Sequence, residues 1–102
     1  MRIIAASRIR EYGRQHPQAN DALMSFLKIA RAAEWASIQE LRKTYPHADA
    51  VHVASGKVVT ILNIKGNAFR LIVAMHYNRG VLYVLRFMTH AEYDRPSWKG
   101  KL

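Results

Sequence analysis

The segment from Thr89 to Asp94 reads THAEYD. If it forms one helical turn, His90, Tyr93 and Asp94 stand at i, i+3 and i+4 and share a side. A histidine and a tyrosine can divide two proton transfers, and with a cation beside them they suit attack on a phosphodiester. Cutting RNA without a metal uses the substrate's own 2'-hydroxyl as nucleophile. The protein must then supply a base, an acid and positive charge for the phosphate. Arg70 is the cation the spacing brings closest, because its planar guanidinium can hold two phosphate oxygens at once. An unperturbed tyrosine, ionising near about pH 10, is a poor base at neutral pH, which favours His90 for one proton step and leaves the other assignment open.

Thr89 and Glu92 in the same segment have the spacing of a capping box, so their types are explained by ending a strand and starting a turn. The segments that must position the cluster lie just before it. VHVA, VVTILNI, AFRLIVAMHY and VLYVLRFM are rich in β-branched and aromatic residues and are separated by SGK, KGN and NRG. Each separator contains a glycine, which predicts a four-strand antiparallel meander. A two- or three-residue loop at NRG sets Arg70 opposite Thr89 or Met88. The turn with Lys65, Gly66 and Asn67 then falls at the same end of the sheet as His90, and Lys57 at the opposite end.

Alternation within AFRLIVAMHY puts Phe69, Leu71, Val73, Met75 and Tyr77 on one face, the better core, and Arg70, Ile72, Ala74 and His76 on the other. Arg70 is therefore expected to point away from the helices, toward an open face. A salt bridge from Arg70 to Asp94 and simple packing of the Tyr93 ring on the sheet end are the plainer alternatives. Alternation groups Arg86 with Leu82 and Met88, either facing the groove with Arg70 or reaching out from an edge. His52, His76, Trp35 and Trp98 read as strand or packing residues.

The first half is helical. Ile3 and Ile4 suggest a short strand, and Ser7 offers an N-cap for a helix carrying Ile9, Tyr12 and Gly13 that ends at His16 and Pro17. Leu23, Phe26, Leu27 and Ala30 recur at helical spacing from Asn20. Ser37 with Glu40 marks another helix start, and Pro46 closes that half. The expected architecture is α+β: a short N-terminal strand and helices packed on one face of a mainly antiparallel sheet of four to five strands, as one domain over residues 1–102.

Composition sets the limits. Sixteen Lys and Arg against seven Asp and Glu give a formal charge of +9, which points to an acidic partner such as RNA, DNA or an acidic protein. Between Ala50 and Ala91 lie Lys57, Lys65, Arg70, Arg79 and Arg86 without one acidic residue, so the sheet carries the unbalanced field. The chain has no cysteine, which excludes disulfides and Cys-ligated metal. No His pair has the helical zinc spacing, no acidic cluster suits magnesium, and no phosphate-cradling glycine loop occurs. A mechanism without metal or cofactor is expected. No apolar run approaches the roughly 18 residues of a membrane span, and the N-terminus does not read as a secretion signal.

The pieces YPHAD, NIKGNAFRLI and THAEYD, in that order and spacing, resemble the HigB-type toxins of bacterial toxin–antitoxin pairs, within the RelE-like group. The resemblance implies a RelE-like microbial ribonuclease fold and a cytoplasmic endoribonuclease acting on mRNA at the ribosome. It also implies a HigA-like helix-turn-helix antitoxin that neutralises the toxin and, with it, represses the pair's operator DNA. Its pattern falls on Asn67, Arg70, His90 and Tyr93. Arg70, His90 and Tyr93 are the expected catalytic residues, and Lys65, Asn67, Arg86 and Lys57 make up the expected RNA-binding set. The rival reading is a basic RNA- or ribosome-binding module without chemistry, whose affinity would depend steeply on salt.

Overall fold

A computed structural model describes residues 1–102. Strand β1 (Arg2–Ile4) leads into helices α1 (Ala6–Gln15), α2 (Asn20–Ala32) and α3 (Ile38–Thr44). Strands β2 (Asp49–His52), β3 (Val58–Ile64), β4 (Phe69–His76) and β5 (Val81–Thr89) follow, then the single turn α4 (His90–Tyr93) and a 3-10 segment, Pro96–Lys101. The sheet order is β1-β5-β4-β3-β2. β2 to β5 form the expected antiparallel meander, and β1 joins as a fifth strand, parallel to β5. No helix is long and apolar enough to cross a membrane.

The helices form where the apolar spacing asks for them, and α2 buries Leu23, Phe26, Leu27 and Ala30. Ser37 caps α3, its side chain accepting from the Glu40 amide. At α1 the expected cap is not used. Ser7 lies inside the helix, and the chain enters it through Ala5 at φ 66° with no side-chain cap. Only Ala5 separates β1 from α1, so the backbone must reverse within one residue. The left-handed conformation does this at a cost of about 1 kcal/mol. Gly13 lies where α1 meets the start of α2, and a Cβ there would collide with Asn20 Oδ1.

The connection between β4 and β5 is Tyr77–Gly80, one or two residues longer than NRG alone suggested. His76 therefore opposes Val81, but the register shifts between Ile72 and Val73, with Ile72 opposite Arg86 and Val73 opposite Val84. Leu85 is the extra residue of this bulge. The shift brings Arg70 opposite Met88 and Phe69 opposite Thr89, the outcome expected of a three-residue loop.

Two clusters of buried apolar residues result, one on each face. Leu62, Ile64, Phe69, Leu71, Val73, Leu82 and Val84 pack with the helices in a cluster of 16. Val53, Val59, Ile61, Ile72, Met88 and Trp98 form a cluster of 6 on the other side. The second face is therefore not open as expected. The C-terminal segment folds back over it, buries Trp98 and is tied to the β2–β3 turn by the Ala54 amide, which donates to Lys99 O.

Candidate functional site

The end of β5 is shaped by its sequence. Thr89 and Glu92 make the complete capping box: the Glu92 amide donates to Thr89 Oγ1 and the Thr89 amide to Glu92 Oε1. The bond from the Thr89 amide holds the Glu92 carboxyl below its ordinary range, with His16 and Arg95 adding to the effect against partial burial. The His90 amide donates to Ala68 O, which ties α4 to the β3–β4 turn. That turn runs through two left-handed residues, Lys65 at φ 54° and Gly66 at φ 62°, and brings Asn67 back toward β4.

Arg70 lies where these elements meet. Its Nη1 donates to the carbonyl oxygens of Asn67 and Phe69 at 3.2 and 3.1 Å, and its Nη2 to Asn67 Oδ1 at 2.6 Å. Nη2 is also 3.1 Å from His90 Nδ1, and the guanidinium carbon lies 5.6 Å from the centre of the Tyr93 ring. The guanidinium can only donate, so Nδ1 must accept, and the neutral His90 ring carries its proton on Nε2. Nε2 faces Asp94 Oδ2 at 3.4 Å. Arg70, His90 and Asp94 thus form one line of polar contacts. Asp94 pairs with the histidine and not with Arg70, contrary to the plainer expectation.

Arg70 does leave the helix-covered face, as alternation requires, but it is 7% exposed. The alternation rule gives the side of the sheet and says nothing of what covers it. Here Asn67 and the Tyr93 ring lie against Arg70, and the C-terminal segment backs Tyr93. Tyr93 stacks on Trp98 with ring centres 5.4 Å apart, and Trp98 Nε1 donates to Tyr93 O. Burial pushes the Tyr93 hydroxyl above its ordinary value of 10, with Asp49 adding to the rise, Arg70 opposing it and Asp94 adding again. Tyr93 therefore stays protonated at neutral pH and can act as a donor, not a base. Behind the site, on the helix side, Phe69 and Phe87 stack at 5.0 Å and His16 meets both rings edge-on.

Arg70, Asn67, His90 and Tyr93 are in contact, and Lys65 is exposed in the adjoining turn. Arg86 is not among them. It lines a separate cleft beyond α4, with Arg95 and Lys101. Lys57 lies at the far end of the sheet, as expected, against an apolar groove with Val58 and Tyr83. No group of three or more His, Asp or Glu side chains is gathered to hold a metal. Asp94 meets His90, as their i, i+4 spacing implied, whereas Trp98 beneath Tyr93 was not singled out from sequence. Nothing local shows Trp98, whose place depends on the tail folding back.

The family model for HigB_toxin, described as the RelE-like toxic component of a toxin-antitoxin system, matches residues 19–96. A curated relative, the mRNA interferase HigB of Escherichia coli O6:H1, is 26% identical over 95 residues, which cover 93% of this chain and 90% of that protein.

Proposed function

This chain belongs to the HigB family of RelE-like toxins of toxin–antitoxin systems, and from that premise we propose that it is an endoribonuclease that cuts mRNA at the ribosome. The observation that carries this reading is the convergence of Arg70, His90 and Tyr93 at one end of the sheet. The reaction is attack of a 2'-hydroxyl on the neighbouring phosphorus. It forms a 2',3'-cyclic phosphate as the bond to the 5'-oxygen breaks, and it needs no metal.

The resting contacts support a division of roles. Arg70 holds the lone pair of His90 Nδ1, so His90 is idle as a base. A phosphate is a stronger acceptor than imidazole and draws the guanidinium to itself. Nδ1 is then free to take the proton of the 2'-hydroxyl, while Asp94 steadies the imidazolium through Nε2. Tyr93, kept protonated by burial, gives its proton to the departing 5'-oxygen. Lys65 adds positive field, and Asn67 keeps Arg70 in reach. The partner that holds this activity in check is a HigA-like helix-turn-helix antitoxin, and the site of action is the cytoplasm.

Induction in a bacterium with mapping of RNA 5' ends tests the reading. Wild type should stop growth and create new 5' ends within translated messages, and Arg70→Ala should create few. Growth arrest by the wild type without new ends would instead favour a non-catalytic module that grips RNA or the ribosome.

A further inference from the structure

On the far side of α4 from Arg70 lies a cleft of about 200 Å³, lined by Arg86, Arg95 and Lys101 over Met88 and Trp98, with Glu92 at its edge. We infer that this cleft holds backbone phosphates of the RNA strand next to the cut, an inference that rests on the nuclease reading of the neighbouring site. His90 and Tyr93 turn to Arg70 on one side of α4, and Glu92 turns to the cleft on the other. The turn is only about 6 Å long, so a strand whose reacting phosphate sits at Arg70 must carry its neighbouring charges past it.

None of the three cations of the cleft makes an ion pair, although the Arg95 charge acts on Glu92 from a distance. The ion pairs of the molecule are Arg14 with Glu11, Arg42 with Asp49, and His90 with Asp94. The one carboxylate at the cleft, Glu92, is occupied by the Thr89 amide. Three positive charges against one carboxylate leave a net positive excess around a space of several water volumes, about 30 Å³ each, which favours entry of an anion. A polymer with one charge per nucleotide supplies anions in series. An acidic protein fits less well, because binding between proteins concentrates in large apolar anchors. The exposed ones here, Ile29, Val58 and Tyr83, lie outside the cleft, while its own Met88 and Trp98 are buried and its half-buried Phe87 is taken up in stacking on Tyr12 and Phe69. Lys101 lies beyond the residues matched by the family model, 19–96.

The test measures binding of a 2'-O-methyl oligoribonucleotide, which cannot be cut, across a range of salt. The triple variant Arg86→Ala, Arg95→Ala, Lys101→Ala should lower the slope of log K against log salt by about two. The control triple Arg10→Ala, Lys28→Ala, Arg31→Ala, which removes as much charge from the helix surface around another depression, should lower it far less. An unchanged slope in the cleft variant, or an equal fall in both triples, overturns the inference. So does loss of binding to an acidic peptide with the RNA slope intact. Cleavage is not read in this assay. If the slope falls as expected but the wild type cuts no message on ribosomes, the cleft stands and the nuclease reading fails.

Discussion

The two faces of the sheet are built differently. The helix side buries 16 residues contributed by three helices, three strands and the connections between them, while the other side buries 6, closed by a tail whose one large anchor is Trp98. The large cluster holds the fold, and the small one holds the site. Trp98 supports Tyr93, Tyr93 lies against Arg70, and Arg70 orients His90. The site is therefore attached to the part of the molecule with the least packing behind it. Under the proposed mechanism, that arrangement would let the guanidinium leave one acceptor for another without disturbing the main core.

Paired truncations break this comparison most directly. Phe26→Ala, in the large cluster, should cost about 3–5 kcal/mol of stability. Trp98→Ala should cost about 2 kcal/mol and lower the cleavage rate more than tenfold in protein that is still folded. Denaturant melts and single-turnover cleavage check both, and a Trp98 variant with full activity would show that the tail does not serve the site. Thr89→Ala removes the cap of α4 and should cost about 1 kcal/mol. Its effect on cleavage should exceed that of Ser37→Ala, which removes the corresponding cap on the helix side.

The smallest effect expected is on acid stability. The folded Glu92 carboxyl is held below its ordinary value of 4.5, so its contribution is complete above that pH and is lost as pH falls through the folded value. Glu92→Gln should be less stable than wild type at pH 7, and the difference should narrow below pH 4.5. A difference that does not change with pH would remove Glu92 from the electrostatics of this end.

Much of this was legible in the sequence, and what was not has physical causes. The helical stripe of Leu23, Phe26, Leu27 and Ala30, the strand alternation around Leu71, and the Thr89–Glu92 box are periodic or paired signals between close neighbours in the chain. They are enough to bring Arg70 beside His90. What backs Tyr93 was not readable, because PSWKGK is too short to show a period and its docking depends on a sheet it meets only after folding. The same holds for Arg95 and Lys101, visible as charges but without a location until the tail turns back. The bulge at Leu85 was hidden because the longer turn at Tyr77–Gly80 offsets it, and the register at the site comes out as though both were absent. The left-handed Ala5 was missed because Ser7 is the better cap by type, while the one-residue link from β1 decides the geometry.

The central claim is that His90 takes the proton of the 2'-hydroxyl once phosphate has drawn Arg70 away. Single-turnover cleavage of message on programmed ribosomes by His90→Ala tests it most directly, with a thermal melt to show that the variant is folded. The rate should fall by about 10²-fold or more while the melt is close to that of wild type. A folded His90→Ala protein that cuts at the wild-type rate would contradict it.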